Sequence, residues 1–120
     1  MYTPYIFPQE CGGRVGVHWL HLADARAPCR GSSDAATPGL LVAAKDGVPL
    51  QISLSPYSLE QIAAADHQHE LPSTSGCHHL HIDAAHMGVG GDDSWSPTVH
   101  AQFLVEPRVY ALHCCIQAAT

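Results

Sequence analysis

The chain has 120 residues, enough for one domain and one modest core. Charged residues make up 13% against a usual ~25%, while 46% are apolar, a balance that excludes intrinsic disorder. Five basic against 11 acidic residues leave a net charge of −6, with the basic ones scattered singly, so nucleic acid and anionic membrane are excluded as partners. No apolar run approaches the ~18 residues of a membrane span, and the N-terminus has no basic-then-apolar leader pattern. The five cysteines, Cys11, Cys29, Cys77, Cys114 and Cys115, are odd in number and lack C-x-x-C spacing. They read as buried, reduced thiols of a cytoplasmic protein. There is no Asn, so N-glycosylation is excluded.

In chain order, Val15, Val17 and Trp19 alternate with His18, Leu20 and Leu22, which predicts one strand covered on both faces. Trp19 is then a core residue, and its truncation to Ala is expected to cost ~3–5 kcal/mol. Ala23 to Pro38 has no apolar period and reads as a long loop. Leu40–Ala44 and Val48–Leu54 form two further strands, and Asp46-Gly47 between them signals a hairpin. Ser58 and Gln61 make a capping box for a short helix with Leu59, Ile62 and Ala63 as its apolar stripe, ending near Asp66. His79–Asp83 alternates as a strand, and Val99–Val105 and Val109–Ile116 supply two more, joined at Glu106-Pro107. Six strands and one short helix predict an all-β fold, an antiparallel β-sandwich, as a single domain over residues 1–120.

The segment from Met87 to Pro97 is the most unusual. Three glycines precede Asp92 and Asp93, then Trp95. Gly88-Val89-Gly90 opens like a dinucleotide fingerprint, but Asp93 occupies the last glycine position and no helix follows. Asp92 and Asp93 are poor paired glycosidase carboxylates, because adjacent side chains point apart where the chemistry needs two groups facing one sugar. They read instead as loop braces. Trp95 is either a core anchor or an exposed plate, and a plate suits the apolar C–H face of a sugar. His79, His81 and Asp83 share a strand face, with His67, His69 and His86 nearby, which raises a metal site. Ten histidines without H-E-x-x-H or paired C-x-x-C argue for chance clustering, so no metal or other cofactor is expected.

Pro4-Tyr5-Ile6-Phe7-Pro8-Gln9-Glu10, Pro56-Tyr57-Ser58, His67-x-His69-Glu70-Leu71, Leu80-x-Ile82-Asp83 and the Met87–Pro97 block occur in that order. Together they closely resemble the C-terminal end of the large bacterial β-galactosidases of glycoside hydrolase family 2, from about Tyr2 to Tyr110. The resemblance implies the latter part of a galactose-mutarotase-like β-supersandwich. It implies that Trp95 reaches the active site and stacks on the sugar in the aglycone position, with Gly91, Asp92, Asp93 and Ser94 around it as the substrate-binding loop. It places both catalytic Glu on an upstream barrel, so no catalytic residue is expected here, and the family's magnesium and sodium ligands fall outside this stretch. Two positions depart: Cys11 stands where the family usually shows Asn before Gly, and His81 where Asn often sits, each removing an amide. Met1 falls in mid-domain by this resemblance, as though the piece were its own reading frame or had been excised.

The expected function is a detached end domain that binds a galactoside or glucose-type sugar weakly and does not hydrolyse it alone. One alternative is a small subunit completing a large barrel-bearing chain. Others are a vestigial module and an aldose mutarotase pairing Glu10 or Glu70 with His100 or His69, although no motif places those together. Half a supersandwich leaves uncovered edges, so a two-fold dimer is expected where no large chain is present.

Overall fold

The computed structural model describes residues 2–23, 38–73, 76–93, 95, 96 and 98–119. Most of the Ala23–Pro38 loop, with Cys29, lies outside the described residues, as do Ser94 and Pro97. Two antiparallel three-stranded sheets and one short helix make an all-β sandwich. The strands are β1 (Arg14–Val17), β2 (Trp19–Ala23), β3 (Gly39–Ala44), β4 (Leu50–Ser55), β5 (His79–Asp83) and β6 (Cys114–Ala119), with α1 (Leu59–Ala64) between β4 and β5. One sheet runs β1-β4-β5 and the other β2-β3-β6. Val42 from the second sheet meets Leu50 and Ile52 from the first, and these three fully buried side chains are the centre of the core. Val17, Leu20, Leu80 and Ile82 pack around them half-buried.

The single strand expected over Val15–Leu22 is two strands in different sheets. Gly16 adopts φ 69°, and the β1–β4 register shifts between Arg14 and Val17. A glycine with positive φ inside a strand bulges and twists it. The chain then leaves the first sheet at His18, whose carbonyl accepts from the Ala44 amide at 2.8 Å, and enters the second. Coverage of both faces also fails: Val15 is 74% and Trp19 65% exposed.

Asp46-Gly47 makes its turn without making a hairpin. Both residues have positive φ, 58° and 73°, and the Val48 amide reaches the Lys45 carbonyl at 3.2 Å. The strands on either side then separate into opposite sheets. Pro49 cannot donate to a ladder, and both edges of β3 are already occupied by β2 and β6.

The helix follows its signal closely. Ser58 Oγ accepts from the Gln61 amide at 3.2 Å, and Gln61 Oε1 accepts from the Ser58 amide at 2.9 Å. The helix closes at Ala65. Of its apolar stripe only Ile62 is buried; Leu59 and Ala63 are exposed.

Val99–Val105 is not a strand. Ala101–Phe103 is a 3-10 turn in which the Phe103 amide donates to His100, while the Phe103 carbonyl accepts from Gly88. Backbone groups committed to a turn and a neighbouring loop are not free for a ladder. The last strand starts at Cys114 and runs to Ala119, paired with β3 from Ala44↔Cys114 to Gly39↔Ala119. The thiols are also less covered than expected, with Cys77 exposed and Cys11, Cys114 and Cys115 half-buried.

Candidate functional site

The loop from Met87 leaves the end of β5 and is shaped by its glycines. The Gly88 amide donates to the Phe103 carbonyl at 2.7 Å, and a Cβ at Gly88 would strike the Phe103 side chain. Gly90 takes φ 83° in open space. Gly91 lies against the Thr98 carbonyl so closely that no Cβ fits. Two stretches of one loop are thus pressed together where Gly91 meets Thr98.

Asp93 braces the emergent turn. Its Oδ1 accepts from the Trp95 amide at 3.1 Å and from the Ser96 amide, and its Oδ2 accepts from the Ser96 hydroxyl at 2.8 Å. These bonds favour the charged form, so the Asp93 carboxyl is held below the ordinary Asp value, first by the Ser96 hydroxyl and then by the backbone amides. Asp92 points elsewhere and meets His100 Nε2 at 2.8 Å across the exposed surface. Trp95 is 84% exposed. Its backbone is held while its indole stands in solvent.

The structure therefore brings Gly91, Asp92, Asp93 and Trp95 together on one loop but gives them different tasks. Asp93 is occupied by its own turn and Asp92 by His100, so the two carboxylates do not face one reacting centre. Ser94, also named for the site, lies outside the described residues. The indole offers an apolar plate, while Asp92 and His100 pair with each other at the surface. The sequence reading did not pair His100 with Asp92. The two are eight residues apart with no motif spacing, so no local signal marks them.

Elsewhere, His79, His81 and Asp83 do share a face of β5, opposite Ser55, Ser53 and Gln51 of β4. Among the described residues no group of three or more His, Cys, Asp or Glu is disposed to hold a metal ion. His67 and His69 stack with ring centroids 5.5 Å apart. Glu70 accepts from the Asp66 and His67 amides and meets His67 Nδ1 at 3.2 Å, so it caps its own turn. Glu70 and His100, named for a mutarotase pair, are thus each engaged locally. Cys11 keeps part of the bracing that an Asn would give: its Sγ accepts from the Thr3 amide at 3.1 Å and donates to the Thr3 carbonyl at 3.5 Å.

Comparison with known proteins identifies the family. A family model described as "Beta galactosidase small chain" matches residues 1–116. The β-galactosidase of Vibrio vulnificus (strain YJ016) is 38% identical over 110 residues, covering 92% of this chain and 9% of that protein. The β-galactosidase of Yersinia enterocolitica serotype O:8 / biotype 1B is 38% identical over 117 residues, 98% of this chain and again 9% of the relative. That of Photobacterium profundum is 37% identical over 110 residues. The chain thus spans about 9% of the length of these curated relatives. No solved structure matches it. With nearly the whole chain matched, this protein belongs to the β-galactosidase small-chain family.

Proposed function

We propose that this chain is a single-domain end module of the glycoside hydrolase family 2 type that presents Trp95 as a weak sugar-binding plate and does not hydrolyse glycosides alone. The observation that carries the reading is an indole 84% exposed on a loop braced by Asp93. An exposed aromatic offers water a flat apolar surface, and stacking a ligand on it removes that surface from water. A sugar ring matches it, with its C–H face on the plate and its hydroxyls left to water. One ring stacked on one indole buries little area, so millimolar affinity is expected, worth roughly 4 kcal/mol. The resemblance to the large β-galactosidases points to the latter part of a galactose-mutarotase-like supersandwich as its fold, and we place the module in the cytoplasm. The retaining reaction needs two carboxylates ~5 Å apart with one held protonated. Asp92 and Asp93 are committed elsewhere, which supports the inactive reading.

Lactose titrated into the chain while tryptophan fluorescence is followed tests this reading. Saturation at millimolar sugar, lost in Trp95→Ala, is expected. An unchanged response in that variant contradicts it, as does turnover of a chromogenic galactoside by the pure chain.

A second reading is supported by the 9% coverage and by exposed Ile6 and Phe7: the chain completes a separate barrel-bearing β-galactosidase chain. Co-purification with such a chain, and galactoside hydrolysis only by the pair, is the expected result under that reading. No association at micromolar concentrations argues for the detached module.

A further inference from the structure

We propose that the outer face of the β1-β4-β5 sheet carries a second small-molecule site, a groove that takes one ring of a neutral polyhydroxyl compound such as a hexose. The groove encloses about 590 Å³, within the usual range for ligand pockets. Antiparallel register sets Gln51 opposite Asp83 and Ser53 opposite His81, so four polar side chains stand two by two on one face. All four line the groove and all are half-buried. None makes a side-chain hydrogen bond to another described residue, although neighbouring loops are closely bonded. None of their side-chain oxygens or nitrogens is among the buried unpartnered atoms, so a ligand in the groove would exchange water for its own hydroxyls there.

The chemistry of the lining selects the ligand. Asp83 and Glu10 only accept, Arg14 only donates, and Gln51, Ser53 and His81 do both. Ring hydroxyls donate and accept in alternation and satisfy such a mixture. Two carboxylates against one guanidinium leave the groove net negative, which disfavours phosphates and carboxylates. Aliphatic walls from Leu59 and Ile62 of α1 suit C–H faces. The groove shares only Met87 with the Trp95 loop, so the proposal stands apart from the reading of that loop.

Amide spectra of the isotopically labelled chain, titrated separately with D-galactose, D-glucose, inorganic phosphate and calcium, test it. One of the hexoses should move the amides of Ser53, His81 and Asp83 saturably in the millimolar range. Asp83→Asn and Gln51→Ala, each retaining a folded spectrum, should weaken that binding roughly tenfold, as expected for loss of a hydrogen bond to a charged or buried group. Trp95→Ala should leave these shifts intact. Amides that stay still up to roughly 200 mM hexose, far above the millimolar scale of weak ring binding, overturn the proposal. So does saturation by calcium or phosphate without a sugar response. Shifts that vanish in Trp95→Ala also overturn it, while leaving the Trp95 reading in place.

Discussion

Trp95 and Trp19 are both exposed, and the reasons differ. Trp95 stands on a braced loop; Trp19 lies on an edge strand, 65% exposed beside a sheet margin. Neither should matter much to the stability of the chain alone. Trp95→Ala should shift unfolding by no more than ~0.5 kcal/mol, and Trp19→Ala should cost under ~1 kcal/mol, as for surface substitutions. The ~3–5 kcal/mol expected from strand alternation should not appear in chemical denaturation; if it does, Trp19 is covered in solution. Asp93 adds a pH dependence. Its folded carboxyl titrates below the ordinary Asp value of ~3.9, so its bracing is fully present above that value and is lost as pH falls through the lower folded value. Trp95 fluorescence should therefore change in acid below about pH 3.9, the ordinary Asp value. Asp93→Ala should show the acid-like signal already at neutral pH. A variant indistinguishable from wild type across the range would show that the brace does not hold the indole.

At the scale of elements, legibility followed the range of the interactions. The capping box of α1 lies within four residues, and both of its hydrogen bonds formed as the sequence indicated. Ser58→Ala removes one of them and should destabilise the chain by ~1 kcal/mol in denaturant unfolding; no change would mean the helix is held by Ile62 alone. β5 was equally legible because its alternation is clean. The strands that failed were decided by distant partners. Gly16 bulges β1, and the chain changes sheet at His18, which alternation alone cannot register. Asp46-Gly47 encodes the turn, while occupied edges on β3 decide that no hairpin follows. Residues 99–105 look apolar enough for a strand, yet Phe103 spends its backbone on Gly88 and His100. The same contrast holds in the site. Asp93 bracing Ser96 spans three residues and was expected, whereas the Asp92–His100 contact spans eight without a motif.

At the scale of the molecule, the core is small and the margins are open. Among the described residues Val42, Leu50 and Ile52 are the only fully buried large side chains, and each sheet pairs three strands, ending in two edge strands. Unpaired edges and apolar side chains such as Ile6 and Phe7 favour association. Sedimentation of the chain alone at tens of micromolar, a rough working range for a standard-sized interface, should show a dimer. A strict monomer of 12.8 kDa would contradict this. The curated relatives are some ten times longer than this chain. The central claim is that Trp95 meets the sugar as an exposed plate. Following both tryptophan indole N–H resonances during a lactose titration tests it most directly, because Trp19 serves as an exposed internal control. The Trp95 resonance should move saturably in the millimolar range while Trp19 stays still. Equal movement of both, or of neither, would contradict the claim.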